Sequence, residues 1–162
     1  MNRIALIVVE DEPEVREVLV RELEPFEPHF RVEAADSADD AREIFRACAR
    51  DGDRVGLVLC DHLLPGTKGV DFLVELDRDP ATAPVRKVLV TGQAGLEDTV
   101  RAVNEARLDH YIAKPWASGE LQAVVKKQLT EYVLLNVEDV LPYVSVLDGA
   151  RLMERAGKRR VD

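Results

Sequence analysis

Two uninterrupted apolar runs, each ending on acid, constrain this chain more than any other feature. Ile4 to Val9 is apolar at every position and stops at Glu10-Asp11-Glu12. Val55 to Cys60 repeats the pattern and stops at Asp61. A strand with one wet face alternates polar and apolar residues. A run that never alternates must be covered on both faces, which is the position of a parallel strand between two layers of helices. Neither run approaches the ~18 apolar residues that a membrane-crossing helix needs, and no longer one occurs in the chain.

The intervening segments carry helical spacing. Pro13 suits a first helical turn, and Val15, Val18, Leu19 and Leu23 recur at intervals of three and four before Pro25 and Pro28 end the helix. Phe30 to Ala35 has strand character, and Ser37 to Arg50 places Ala41, Ile44, Phe45 and Cys48 on one face. After the Pro65-Gly66 turn, a helix bearing Val70, Phe72, Leu73 and Leu76 runs to Asp79-Pro80. Lys87 to Val90 reads as a buried strand closed by Thr91-Gly92. Leu96 to Ala106 reads as a helix with Val100, Val103 and Ala106 apolar. His110 to Ala113 is a last short strand before Lys114-Pro115. Ser118 is placed to cap a helix with Leu121, Val124, Val125, Leu129 and Tyr132. Five strands alternating with five helices predict an α/β, doubly wound (βα)5 architecture with a five-stranded parallel sheet.

Charge narrows the partners. Lys and Arg total 22 against 31 Asp and Glu, a net charge of −9, which argues against holding nucleic acid by bulk electrostatics. The amino terminus leads straight into the first strand without a small-residue cleavage site, so no signal peptide is expected. Cys48 and Cys60 are the only cysteines, too few for a disulfide framework or a zinc site, and both read as small core residues. The expectation is a cytoplasmic protein with no membrane and no direct nucleic-acid partner.

In open parallel sheets, ligands bind outside the carboxyl ends of the strands. That rim would gather Glu10 and Asp11 after the first strand, Asp61 after the third, Thr91 after the fourth and Lys114 after the fifth. Clustered carboxylates raise one another's pKa unless a cation neutralises them, and Mg2+ suits an all-oxygen, partly hydrated site. An ionised aspartate beside Mg2+ can attack phosphorus, with Lys114 offsetting phosphoryl charge and Thr91 donating to one phosphoryl oxygen.

The motifs Val9-Glu10-Asp11-Glu12, Asp61-x-x-x-Pro65-Gly66-x-x-Gly69-x-x-x-Leu73, Thr91-Gly92 and Tyr111-x-x-Lys114-Pro115-Trp116-x-x-x-Glu120-Leu121 together resemble the receiver domain of two-component response regulators. The resemblance spans about residues 3–133 and implies the flavodoxin-like receiver fold. It further implies that Asp61 accepts a phosphoryl group from a sensor histidine kinase or phosphotransfer protein. Asp11, Asp61 and the backbone carbonyl of Leu63 would bind Mg2+, with Glu10 acting mainly through a water on the metal. Lys114 would contact the acyl phosphate, and Thr91 and Tyr111 would form the switch pair. The Lys114-Pro115 bond is often cis in this family. Glu10 stands where aspartate is commoner, Leu64 where methionine is usual, and Ala106-Arg107 where many relatives have Gly-Ala. A receiver is a switch rather than an enzyme, catalysing only its own phosphorylation and dephosphorylation.

Three other readings compete. A phosphatase of the haloacid dehalogenase type would carry a second acid two residues after its nucleophile, where this chain has Leu63. A pseudo-receiver would bind or dimerise without phosphorylation. A receiver can also be the regulatory part of a longer protein with an enzymatic output. Outside the motifs, His62 reads as a partly exposed bystander, Trp116 as packing, and Gln93 as a residue near enough to Thr91 to influence water access. His29 and His110 have no ligand spacing. The chain thus divides into a receiver over 1–133 and an extension over 134–162. In the extension Pro142 would open an amphipathic helix presenting Tyr143, Val146, Leu147, Ala150 and Met153, weakened at Gly149 and ending near Gly157. That helix is expected to serve dimerisation or a linker, alongside apolar residues of the fourth and fifth helices.

Overall fold

A computed structural model describes residues 2–92 and 95–161, which leaves Gln93 outside the described residues. Five strands form one parallel sheet: β1 (Ile4–Val9), β2 (Arg31–Ala35), β3 (Arg54–Cys60), β4 (Arg86–Thr91) and β5 (His110–Ala113), in the order β2-β1-β3-β4-β5. The helices are α1 (Pro13–Glu22), α2 (Ala38–Arg50), α3 (Gly69–Arg78), α4 (Leu96–Glu105), α5 (Glu120–Asn136) and α6 (Gly149–Val161). No helix among the described residues is long and apolar enough to cross a membrane.

The continuous apolar runs are explained by a core on each side of the sheet. Because side chains alternate along a strand, Leu6 and Val8 join Leu57, Leu59, Val88, Val90 and Ile112 beneath α1 and α5. Ala5, Ile7 and Val9 join Val58, Cys60 and Leu89 beneath α2, α3 and α4. Cys48 and Cys60 are free thiols buried in that second core. Ser37 caps α2, its hydroxyl accepting from the Asp40 amide at 3.1 Å.

Local capping departs from expectation at α5. Gly119, not Ser118, is the N-cap; its φ of 81° lies in the left-handed region, where glycine carries no steric penalty. Glu120 closes the same turn, its carboxylate accepting from the Ala117 amide at 2.9 Å. Ahead of β5, Arg107 takes a φ of 54°, in the left-handed region that favours glycine. On α4, the packing residue is Ala102, with Ala106 just beyond the helix, while Val100 and Val103 face solvent.

The extension is arranged differently from the sequence reading. Pro142 opens only a 3-10 turn over Leu141–Tyr143, and the helix begins at Gly149. A Cβ on Gly149 would sit 2.7 Å from the Val144 carbonyl oxygen, so the glycine that weakens a helix interior here permits a tight entry into one. The helix does not stop at Gly157 but continues to Val161. Among its described residues the buried one is Leu152, not Ala150 or Met153, and Met153 is half exposed. With Val140 and Leu147, Leu152 joins the core that holds Leu129, Tyr132 and Val133 of α5, while Tyr143 stacks on Phe30 at 5.6 Å between ring centroids. The apolar surface expected to meet a second chain therefore folds back on its own α5.

Polar bonds fix this docking. The Asp148 amide donates to the Thr130 hydroxyl at 3.2 Å, and Arg151 pairs with Glu131. The Arg155 guanidinium donates to the carbonyls of Leu134 (2.5 Å), Val137 and Glu138 (2.7 Å). Those carbonyls lie at the end of α5, where a helix leaves acceptors unpaired and its dipole favours a cation.

If the extension belongs to this core, Leu152→Ala lowers the unfolding free energy by roughly 2–5 kcal/mol, the cost of emptying a fully buried leucine site. Urea titration followed by circular dichroism would show one cooperative transition moved to lower urea. A separate early transition with an unchanged main midpoint would mean that α6 is an independent appendage.

Candidate functional site

A parallel sheet sends the carboxyl ends of its strands to one rim, and the ladder continues a residue past β1 and β3. The Glu10 amide donates to the Ala35 carbonyl at 3.0 Å, and the Asp61 amide donates to the Val9 carbonyl at 3.0 Å. The two acids are thereby fixed by backbone, side by side, as extensions of neighbouring strands. Glu10 is fully buried and Asp61 is 6% exposed, whereas Asp11 faces solvent. One carboxylate oxygen from each of the three acids lies within 4.8 Å of the others.

Lys114, just after β5, comes to them from across the sheet. Its Nζ donates to Glu10 Oε1 at 2.5 Å and to Asp61 Oδ2 at 3.2 Å. Asp61 Oδ1 accepts from the Leu63 amide at 3.4 Å, and Glu10 Oε2 accepts from the Glu12 amide at 3.3 Å. Arg16 on α1 donates to the backbone carbonyl of Glu10 at 3.0 Å, holding the acidic loop to the helix that follows it.

Burial pushes the Glu10 carboxyl above its ordinary value, and the hydrogen bond from Lys114 restrains the rise to which the Asp61 charge adds. Burial pulls Lys114 down, but its bond to Glu10 and the charge of Asp61 outweigh that, so its ammonium form is favoured. One ammonium faces three carboxylates. The donors are hard oxygens and one acid is open to solvent, a set that fits Mg2+ rather than a softer metal.

The switch candidates sit on the same rim. Thr91 ends β4 and is 1% exposed. Its backbone carbonyl accepts from the Tyr111 hydroxyl at 2.9 Å, and the half-buried Tyr111 ring packs on the second core. The Lys114-Pro115 bond is cis. A cleft of about 590 Å3 opens beside Asp61 and Lys114, walled by Val15, Val18, Leu63 and Trp116. Trp116 packs on the core, and its indole N–H donates to Glu22 at 3.2 Å. No second acid stands at position 63, where the leucine is 44% exposed.

Two residues matter for reasons the sequence does not display. A Cβ on Gly69 would lie 1.9 Å from the Asp61 carbonyl oxygen. Only glycine lets α3 start that close to the acid-bearing loop; the motif contains this glycine, but its reason lies in the approach. His62 is 2% exposed, not a partly exposed bystander. Its Nδ1 accepts from the Val70 amide at 3.4 Å, which leaves Nε2 as the ring nitrogen that donates, to Asp98 Oδ2 at 3.0 Å. Its partner is 36 residues away on α4, and no local pattern could announce that.

Comparison with known proteins places this geometry among relatives. The sequence profile described as "Response regulator receiver domain" matches residues 6–126. The hydrogenase transcriptional regulatory protein HoxA of Cupriavidus necator is 34% identical over 123 residues, covering 75% of this chain and 23% of that protein. The phosphate regulon transcriptional regulatory protein PhoB of Escherichia coli is 33% identical over 138 residues, covering 84% of this chain and 56% of that protein. This chain thus spans between just under a quarter and just over half of those relatives. Among solved structures, a CheY-like response regulator receiver domain from Methanospirillum hungatei superposes with a TM-score of 0.70 at 27% identity, covering 83% of this chain and all of that one. The receiver domain of an HD domain-containing protein from Pseudomonas fluorescens gives 0.72 at 21% identity, covering 83% and 93%, a likeness of fold.

The raised Glu10 pKa fixes the sign of a pH effect. The folded chain holds this proton more tightly than the unfolded chain does. The stabilisation is therefore complete below the ordinary value of 4.5 and is lost as pH rises through the folded value. Urea unfolding in EDTA, repeated from pH 4 upward, should show wild type losing stability relative to Glu10→Gln across that window. Parallel profiles for the two proteins would mean that Glu10 titrates as an ordinary surface acid.

Proposed function

Since this chain belongs to the response regulator receiver domain family of two-component systems, we propose that it is a phosphorylation-dependent switch with Asp61 as the phosphoacceptor. The observation that carries this reading is the placement of a buried aspartate between the Lys114 ammonium and a cluster of hard oxygen donors. The donor would be a phosphohistidine on a sensor histidine kinase or phosphotransfer protein. An Asp61 oxygen attacks phosphorus, the P–N bond breaks, and its electron pair stays with the departing imidazole. The acyl phosphate leaves Asp61 without its free carboxylate charge and places a phosphoryl group beside Lys114. Asp11, Asp61 and the Leu63 carbonyl would hold Mg2+, with Glu10 completing the acidic set, and the ion would supply neutralisation of phosphoryl charge.

The chain's own groups then divide the work. Lys114 pairs with a phosphoryl oxygen in place of the carboxylate it now holds. Thr91 turns its hydroxyl to a second oxygen, and Tyr111, bonded to the Thr91 carbonyl, follows that movement. The responding surface is α4 with β5 and α5, where Leu96, Val100 and Val103 form an exposed apolar stripe at spacings of four and three. A second copy of this chain is the partner that such a stripe would take in the phosphorylated state. Two relatives are named as transcriptional regulatory proteins and are longer than this chain. That supports a second reading in which these residues are the receiver portion of a longer regulator. Either reading places the protein in the cytoplasm, where a sensor kinase presents its phosphohistidine. The complete set of acids, hydroxyl and lysine speaks against a pseudo-receiver.

Incubation with Mg2+ and a small phosphodonor, followed by intact mass, should show one phosphoryl adduct on wild type and none on Asp61→Asn. An equal adduct on both proteins would move the acceptor elsewhere. In a thermal melt without donor, free Mg2+ at tenfold its dissociation constant stabilises by about 1.4 kcal/mol, which raises the midpoint by roughly 3–6 °C for a chain of this size. Asp11→Asn should lose most of that shift. An unchanged shift in this variant would remove Asp11 from the metal site.

A further inference from the structure

We propose that His62 is a positioning residue that ties the phosphoacceptor loop to α4, so that the placement of Asp61 and the stance of α4 are set together. A buried imidazole must satisfy both ring nitrogens. Here the two partners belong to different elements. Nδ1 takes the Val70 amide, one of the first-turn donors that α3 cannot pair internally. Nε2–H reaches Asp98 on the first turn of α4 at 3.0 Å. The His62 carbonyl also accepts from the amides of Gly69 at 2.9 Å and Leu64 at 3.1 Å. One residue, directly after Asp61, thus joins the acid-bearing loop, the start of α3 and the start of α4.

α4 is the element such a tether can govern. Of its ten residues only Ala102 is buried, and its N-cap, Gly95, offers no side chain to cap it. Leu96, Val100 and Val103 point to solvent at 81%, 47% and 53% exposure. Among the described residues, its side-chain ties to other elements are Asp98 to His62 and Arg101 to Asp71 on α3. An element with so little apolar burial opens locally at low cost, and each polar tie then counts. An apolar side chain at 62 would fill the same space with no demand on α4. The imidazole makes the packing of the loop conditional on where Asp98 stands.

The proposal rests on the phosphoacceptor reading only for its consequence; the tether itself is testable without phosphate. Hydrogen exchange of the unmodified chain, read by mass spectrometry, would compare wild type with Asp98→Ala, Asp98→Asn, His62→Leu and the double variant. Asp98 is 45% exposed, so its alanine variant leaves the core intact. Asp98→Ala should speed exchange of the α4 amides and of the Gly69 and Val70 amides about tenfold, as expected for a lost bond to a buried group. β1 and β3 should be unchanged. Asp98→Asn, which keeps an acceptor oxygen, should stay near wild type, and the double variant should be no faster than either single. Acceleration confined to α4, or additive effects in the double variant, would overturn the tether. With Mg2+ and phosphodonor added, the adduct on Asp98→Ala should decay at a different rate although Asp98 touches none of the site. An adduct of wild-type lifetime would overturn the coupling to Asp61. Failure to form any adduct on wild type would instead refute the phosphoacceptor reading, with the exchange data still ruling on His62.

Discussion

The contact on which the rim depends is the Lys114 ammonium set between Glu10 and Asp61. The sequence separations are 104 and 53 residues, so only the closed sheet can make it. A fully buried glutamate beside a nearly buried aspartate would repel without it, and β1 and β3 could not both end on acids at neighbouring positions. The sheet order supplies the remedy: β1 and β3 are adjacent, β4 follows, and the turn after β5 delivers the lysine from the far edge. The ammonium compensates part of the negative charge, which lets the two buried acids stand side by side. Under the proposed function a divalent cation would offset the rest and the rim would receive a phosphoryl group.

Much of this was legible in the order of residues. Strands covered on both faces write themselves as unbroken apolar runs, and an acid immediately after such a run has to stand at the rim. Glu10, Asp61, Thr91 and Lys114 could all be placed by that logic because each ends a strand or directly follows one. What escaped was decided by contacts between distant parts of the chain. Pro142 is a good helix opener, yet the stacking of Tyr143 on Phe30 and the entry at Gly149 shift the helix to a later start. Val100 and Val103 have the spacing of a buried face, but the helix residue that enters the second core is the small Ala102 instead. His62 has no local signature, since its meaning comes from Val70 and Asp98 together.

The two faces of the sheet are closed by different physics. On the α1 and α5 side, Val140, Leu147 and Leu152 of the extension add apolar burial, and Arg155 binds the carbonyls at the end of α5. Most apolar residues of α5, from Leu121 to Val133, are buried and so unavailable to another chain. On the other side α2 and α3 are well packed, but α4 rests on a single buried alanine and a few polar ties.

This asymmetry decides where a change at Asp61 can travel. A perturbation at the rim moves whichever neighbouring element costs least to displace, and cost scales with the apolar area that must be uncovered. Displacing α5 would open the core that Tyr132, Val133 and Leu152 share. Displacing α4 uncovers little beyond Ala102, and its apolar stripe is already in water. The extension would therefore shape the proposed switch without touching its chemistry. By anchoring α5 it leaves α4 as the yielding neighbour, and α4 is also the element that His62 connects to the acid beside it.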